Sequence, residues 1–172
     1  MPAPAQADMI EIQVTWNPRK DWRARGALER AARHALAAEG LRHGSLSIVV
    51  AGRRAMTTLH RRFMSIDAPT DVLTFDFGSE PTGDERERNR GSRDRTARNR
   101  LDAEIVVCAD IARQRTQSIK AATAELCLYV VHGILHLAGY DDHSPGDFAR
   151  MHAREDELLA EIGLGRVFGA RQ

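Results

Sequence analysis

The sequence of 172 residues has only two cysteines, Cys108 and Cys127, and they form no C-x-x-C pair. Both stand in apolar surroundings. A small number of isolated, apolar-flanked thiols is typical of a protein that folds without a disulfide framework. We therefore interpret them as buried structural thiols of a protein in a reducing compartment, and not as redox-active groups.

The sequence also has little net charge and no long apolar run. The formal net charge is +1, so any attraction to nucleic acid must come from a local patch and not from the whole molecule. Residues 1–8 contain neither the basic nor the apolar region of a signal peptide. Every apolar stretch is interrupted by His, Lys or Glu before it reaches the about 20 residues of a membrane span. We expect a cytoplasmic protein without a membrane contact.

Hydrophobic periodicity predicts the element order β-α-β-α-β-β-α-α-α. The length suits one domain, which we place at residues 9–163, with flexible termini at 1–8 and 164–172. The predicted strands are 9–16, 46–52, 72–77 and 103–110, and the predicted helices are 19–39, 53–64, 118–139 and 144–163, with a further helix after a capping Asp110.

A polar segment at about 79–100 separates the third and fourth predicted strands. It has few apolar residues and seven arginines between Arg86 and Arg100. One interpretation is a disordered, solvated extension of a hairpin. The other is an arginine-rich arm that contacts phosphates and becomes ordered when RNA binds. The two interpretations are compatible.

The stretch "VVHGILHLAGYDDH" (130–143) places His132 and His136 four residues apart on a helix that is otherwise almost wholly apolar. Residues with this spacing project from one helix face, so two imidazoles can share one ion. Gly139 ends the helix, and Asp141, Asp142 and His143 then supply a third ligand. Three protein ligands with an open fourth position are typical of a catalytic zinc site, so we predict Zn²⁺ or another divalent cation here.

Gly133 distinguishes this stretch from the zinc-peptidase pattern H-E-x-x-H. In that pattern a glutamate beside the first histidine acts as general base, and a glycine cannot. Another group must handle the proton, or the substrate needs no such base. A peptidase is therefore disfavoured.

Four motifs resemble the bacterial rRNA maturation factor family known as YbeY. "HGILHLAGYDD" (132–142) is similar to the family signature H-G-x-x-H-L-x-G-Y-D-H, and "PTDVLTFDF" (69–77), "LDAEIVV" (101–107) and "RMHAREDELL" (150–159) resemble three further family segments in order. The resemblance covers about residues 9–163. It implies an α+β fold, in which a small mixed four-stranded sheet packs with helices and a central buried helix carries the two metal-binding histidines.

The resemblance also implies a function. Family members are metal-dependent, single-strand-specific endoribonucleases that process rRNA, mature the 3′ end of 16S rRNA and take part in late 70S ribosome quality control. RNA and the ribosome are therefore the expected partners, with ribosomal proteins or a GTPase as further ones. Two alternatives stay open: a hydrolase of another substrate, such as a peptidase, and a non-catalytic ribosome-assembly factor with a structural metal.

This sequence departs from the family pattern at two positions. Met64 stands where the family usually has an arginine implicated in RNA cleavage, so Arg61 and Arg62 are the candidates for that role. Asp142 stands where the signature has its third histidine, and His143 follows one residue later. The downstream residues of the pattern, Met151 and Glu155 among them, keep an ungapped register. We therefore favour Asp142 as the third ligand, with His143 as the alternative.

Asp71, just before the third predicted strand, has two interpretations. It is either a turn residue or a polar group that faces the metal site. The sequence alone leaves both open.

Overall fold

The computed structural model describes residues 9–78 and 101–169. Within these ranges the chain forms four strands and five helices in the predicted order. The strands are β1 (Met9–Trp16), β2 (His43–Ala51), β3 (Val72–Asp76) and β4 (Leu101–Cys108). The helices are α1 (Arg25–Ala38), α2 (Arg53–Met64), α3 (Ala109–Arg115), α4 (Ile119–Ala138) and α5 (Pro145–Glu161). The arginine-rich segment at about 79–100 lies outside the described residues, and the predicted domain limits stay a prediction.

The four strands form one mixed sheet in the order β1-β2-β4-β3. β1, β2 and β4 are parallel, and β3 runs antiparallel to β4 at the edge of the sheet. The parallel pairs are joined through helices, as parallel strands require. The predicted α+β class with a mixed four-stranded sheet is confirmed.

The sheet separates two hydrophobic cores of unequal size. On one face, which we call the closed face, α1 and α4 pack against the strands and α5 packs against α4. On the other, which we call the open face, α2 covers a small core around Met56, Val106 and Cys108. Side chains alternate between the faces along a strand, so Ile105 and Val107 point into the large core while Val106 points into the small one.

Helix α4 lies at the centre of the large core, as predicted. It is long and apolar enough to cross a membrane by composition, but 67% of that stretch is buried inside the fold, which is what a core helix requires. The Ser118 side chain accepts a hydrogen bond from the backbone of Ala121 and caps the start of the helix. Gly139 ends it with a left-handed φ of 102°, a conformation that glycine adopts without strain.

Three local predictions were wrong. Strand β2 begins at His43 and not at residue 46. The first helix begins at Arg25 and not at residue 19, and Trp22 lies before it with its ring 4.8 Å from that of Trp16. Strand β4 ends at Cys108, so Asp110 lies in the first turn of α3 and does not cap that helix. Its carboxylate instead accepts the backbone N–H of Arg53 at 2.6 Å, in the first turn of α2. Periodicity cannot reveal this long-range cap, because the two segments meet only in the folded sheet.

Candidate metal centre

Helix α4 presents His132 and His136 toward each other on one face. Their Nε2 atoms are 3.0 Å apart, and their ring planes cross at 85°. Both side chains are partly buried at the end of the helix near Gly139. This is the pairing that the four-residue spacing predicts.

The other nitrogen of each imidazole faces a hydrogen-bond acceptor. His132 Nδ1 lies 2.7 Å from a carboxylate oxygen of Glu155, which belongs to α5 and is fully buried. His136 Nδ1 lies 3.1 Å from the backbone carbonyl oxygen of Tyr140, just past the glycine turn. Each Nδ1 therefore donates a hydrogen, and each neutral ring leaves its Nε2 unprotonated.

Two unprotonated Nε2 atoms at this separation repel each other unless a proton or a cation lies between them. In a tetrahedral zinc site with Zn–N bonds of about 2.0–2.1 Å, two nitrogens lie about 3.3 Å apart, close to the 3.0 Å seen here. A carboxylate or carbonyl on the second nitrogen is the usual support for a metal-binding histidine. The histidine pair therefore fits a divalent cation.

The electrostatics of the two rings differ. Burial alone would lower the pKa of His132, but the hydrogen bond and charge of Glu155, together with the charges of Asp142 and Asp71, raise it above its ordinary value. Burial lowers the pKa of His136, and the adjacent His132 lowers it further. The surrounding carboxylates thus favour positive charge on His132, while burial and His132 disfavour it on His136.

The structure brings Asp142 to the histidine pair and leaves His143 apart from it. Ligand atoms of His132, His136 and Asp142 all lie within 4.8 Å of one another. The His143 side chain is 86% exposed and its Nδ1 contacts the carboxylate of Asp141. That carboxylate also accepts the backbone N–H of Asp142 at 2.8 Å, which fixes the turn. This geometry favours Asp142, and the choice of third ligand stays a prediction.

Gly133 has a packing role in addition to excluding a peptidase-type base. A Cβ atom at this position would lie 2.8 Å from both Ile105 Cδ1 and Thr74 Oγ1. Helix α4 therefore crosses β3 and β4 so closely that any larger residue would force the Ile105 and Thr74 side chains to shift. A glutamate here would point into the sheet and not into the site.

Asp71 lies just before β3, in a network of charged and polar groups. Its charge contributes to the raised pKa of His132. Its carboxylate accepts a hydrogen bond from Arg115 at 2.9 Å and from the backbone N–H of Val72 at 3.0 Å. Arg115 also donates to the Tyr129 hydroxyl at 3.2 Å. Asp71 thus closes the turn into β3, and its role as a polar group that faces the site stays a prediction.

Arg61 and Arg62 are not brought into the histidine cluster by any contact of the described residues. Both are exposed on α2, which packs on the open face. Arg61 forms an exposed ion pair with Asp67 at 3.5 Å, and the Arg62 guanidinium lies 5.5 Å from the centre of the Phe63 ring. Met64 is 59% exposed beside them. Their predicted role in RNA cleavage stays a prediction.

Two residues that support the site were missed by the motif reasoning. The family pattern marks Glu155 only as a position of the last helix, and no motif marks His152 as part of the site. The buried face of α5 runs through Met151, Glu155 and Leu158, so a glutamate occupies a position where the helix pattern requires an apolar residue. That mismatch is the signal in the sequence, because a buried carboxylate needs a partner.

Comparison with known proteins identifies the family of this chain. The family described as Endoribonuclease YbeY matches residues 11–163. A relative from Anaeromyxobacter sp. (strain Fw109-5), named Endoribonuclease YbeY, is 38% identical over 149 residues, which cover 86% of this chain and 69% of the relative. One of the same name from Moorella thermoacetica is 32% identical, over 81% of this chain and 86% of the relative.

A solved structure supports the fold alone. The solution structure of a Thermotoga maritima protein matches with a TM-score of 0.52 and 24% sequence identity, covering 90% of this chain and 91% of that one. The family match spans every element described above apart from the first residues of β1. This chain belongs to the YbeY family of endoribonucleases.

Proposed function

We propose that this protein is a metal-dependent, single-strand-specific endoribonuclease that holds one Zn²⁺ through His132, His136 and Asp142. The observation that carries the proposal is the 3.0 Å approach of two histidine Nε2 atoms whose Nδ1 atoms are both occupied by acceptors. Family membership supplies the reaction class, since the relatives are named endoribonucleases.

A bound zinc ion would lower the pKa of a water molecule to about 7 and polarise a phosphoryl oxygen. The protein's own residues prepare this chemistry. Glu155 and the Tyr140 carbonyl orient the two imidazoles, and the partly exposed Asp142 carboxylate leaves one side of the site open to substrate. Gly133 supplies no general base, so a proton must leave through another acceptor at the site. We assign this role to Asp71, whose negative charge acts on His132.

We assign Arg61 or Arg62 to the stabilisation of negative charge on the phosphate, in place of the arginine that the family usually has at Met64. Both guanidinium groups are exposed on α2 and can reach a polyanion without disturbing the core. Electrostatic stabilisation of the negative charge that develops on the phosphate is among the largest contributions to catalysis of this kind.

The biological setting follows from the family. We place the protein in the cytoplasm, with rRNA and the ribosome as partners, acting in 16S rRNA 3′-end maturation and ribosome quality control. Contacts with ribosomal proteins or a GTPase stay a prediction.

The experiment that tests the function measures metal and cleavage together. Purified protein is analysed for bound metal and incubated with single-stranded RNA, with the duplex of the same sequence and with casein, each with and without chelator. We expect about one zinc per chain and cleavage of single-stranded RNA alone, lost with chelator. His132→Ala and His136→Ala should each lose metal and cleavage together.

His34→Ala is the matched control. This histidine lies on α1 and pairs with Glu161 at 2.6 Å, so its loss should leave metal content and cleavage unchanged. Full metal occupancy in either site variant would contradict a shared metal. Full occupancy in the wild type without RNA cleavage would instead favour the non-catalytic assembly factor, the alternative that Met64 supports.

A further inference from the structure

Glu155 is shared by two imidazoles. One carboxylate oxygen accepts His132 Nδ1 at 2.7 Å, and the other accepts His152 Nδ1 at 2.5 Å. The carboxylate is fully buried, so these two hydrogen bonds fix its orientation. The orientation of the His132 ring therefore depends on Glu155, and that of Glu155 depends on His152.

Two phenylalanines hold the His152 ring. The Phe168 ring stacks on it with centroids 3.6 Å apart and planes 1° from parallel. The Phe148 ring meets it edge to face at 4.1 Å. Only 11% of the His152 side chain is exposed. The two phenylalanines therefore pack the ring against Glu155.

Phe168 is itself held by a buried carboxylate on α5. The backbone N–H groups of Phe168 and Gly169 donate to the two oxygens of Asp156, at 2.9 and 3.0 Å. Asp156 is 5% exposed, so these bonds satisfy a carboxylate that has little access to water. A Cβ on Gly169 would lie 2.9 Å from Asp156 Oδ2, so a larger residue there would displace the Asp156 carboxylate.

We propose that residues 164–169, which we call the C-terminal brace, position the metal ligand His132 through Phe168, His152 and Glu155. The proposal rests on the proposed function, in which His132 binds the metal. The family match ends at residue 163, so the brace lies beyond the part of this chain that the family pattern describes. His152 and Phe168 are positioning residues, since neither one touches the metal.

The brace should raise metal affinity by keeping the His132 ring in its binding orientation before the ion arrives. Loss of an outer hydrogen-bond partner of a ligand typically weakens metal binding about 10- to 100-fold. We expect about tenfold for His152→Ala. For Phe168→Ala, which acts one contact further away, we expect about threefold to tenfold.

The test measures zinc affinity of the full-length protein by competition with a chromophoric chelator at one fixed pH. Phe168→Tyr keeps the stacked ring and should bind zinc like the wild type. Val167→Ala is the matched control, because it shortens a neighbouring side chain of the brace and leaves all three rings in place. Thermal unfolding of each metal-free variant separates a loss of affinity from a loss of fold.

A second measurement does not need the metal. In the metal-free protein, long-range ¹H–¹⁵N NMR of the histidine rings reports whether His132 keeps its hydrogen on Nδ1 in one ordered environment. We expect Phe168→Ala to broaden or shift this His132 signal and Val167→Ala to leave it unchanged. A wild type that binds no zinc would refute the proposed function, and the NMR comparison would still decide the brace.

The brace is overturned if Phe168→Ala and His152→Ala both keep the wild-type affinity and the wild-type His132 signal. It is also overturned if the wild type binds two zinc ions and His152→Ala loses one of them. In that case Glu155 and His152 would be ligands of a second metal ion. Their ligand atoms and one from His132 lie close enough together to bind such an ion.

Discussion

The closed and open faces of the sheet hold their polar side chains in different ways. On the closed face Glu155 is fully buried and both of its oxygens have an imidazole partner. On the open face Arg61 and Arg62 are exposed, and the neighbouring Phe63 and Phe77 rings are 53% and 57% exposed. On the closed face, hydrogen bonds fix the positions of the functional groups. On the open face, the functional groups are exposed to solvent.

This difference matches two chemical tasks. A metal site needs ligands in fixed positions, and a crowded core with fully satisfied polar groups supplies them. Contact with a long polyanion needs accessible cations and tolerates movement, since most of the attraction comes from charge. Substitutions should therefore have large structural effects on the closed face and small ones on the open face.

The largest loss of stability should come from Gly133→Glu, which creates the peptidase pattern H-E-x-x-H in this chain. Its Cβ would meet Ile105 and Thr74 at 2.8 Å, and its carboxylate would be buried without a partner. We expect no peptidase activity and loss of the cooperative unfolding transition. Gly133→Ala should cost about 1–3 kcal/mol through overpacking, offset by about 1 kcal/mol of helix propensity. Urea unfolding followed by circular dichroism measures both.

Gly146→Ala is the control for that experiment. Gly146 lies in the first turn of α5, and a Cβ there would be 3.6 Å from the Arg150 guanidinium, an ordinary contact. This variant should be as stable as the wild type or slightly more stable. A Gly133→Glu protein that folds and melts cooperatively would show that α4 can move away from the sheet.

The next largest effect should be on zinc affinity, and it should show whether Asp142 or His143 is the third ligand. Asp142→Ala removes a group that lies within 4.8 Å of both histidine ligand atoms, so we expect zinc affinity to fall by more than about 100-fold, beyond the loss of an outer partner. His143→Ala should change affinity less than about threefold, because its ring is 86% exposed and contacts Asp141. If His143→Ala loses zinc and Asp142→Ala keeps it, the turn rearranges around the ion. The ungapped register would then have identified the wrong third ligand.

The local sequence pattern was sufficient to predict most of the strands and helices of the fold. The strand β1, helix α2 and both ends of α4 lie at or within a residue of the predicted positions, because periodicity and capping residues act over a few neighbours. The approach of His132 to His136 followed from helix geometry in the same way. These features depend on residues that are close in the sequence.

The remaining features depend on residues that are far apart in the sequence. Asp110 caps α2 across 57 residues, and Glu155 reaches His132 across 23. Residues 164–169, expected to belong to a flexible terminus, include Phe168, whose ring lies on His152. No periodic pattern or cap residue indicates such a contact, since it exists only after α4 and α5 have packed. A charged residue on a buried helix face was the one local sign.

Substitutions of the exposed arginines on the open face should lower RNA cleavage and leave the fold and the metal site unchanged. Arg61→Gln and Arg62→Gln together should lower RNA cleavage about tenfold or more, since they remove cations from the proposed phosphate contact. Zinc content should be unchanged, and stability should change by less than about 0.5 kcal/mol, because an exposed ion pair such as Arg61–Asp67 contributes little. Arg33→Gln, an exposed arginine on α1 that pairs with Glu29, is the control. Equal cleavage by the double variant and the control would exclude both arginines from catalysis.

The smallest perturbation uses the two cysteines as reporters and changes no residue. Cys127 lies in the large core of the closed face and Cys108 in the small core under α2, and both are fully buried. Burial raises the pKa of Cys127 to about 12 and also raises that of Cys108, so neither thiol is reactive in the folded state. A thiol reagent can therefore react with each cysteine only after the structure has opened around it.

The small core should open more often than the large one, because fewer buried apolar contacts hold it closed. We expect the Cys108 peptide to be labelled at least about fivefold faster than the Cys127 peptide at mildly alkaline pH, as mass spectrometry of the digested protein would show. A ratio of that size corresponds to about 1 kcal/mol in the free energy of opening. Equal rates would mean that both thiols are released by the same global unfolding. The two faces would then form one cooperative unit, and the open face would be as firmly held as the closed one.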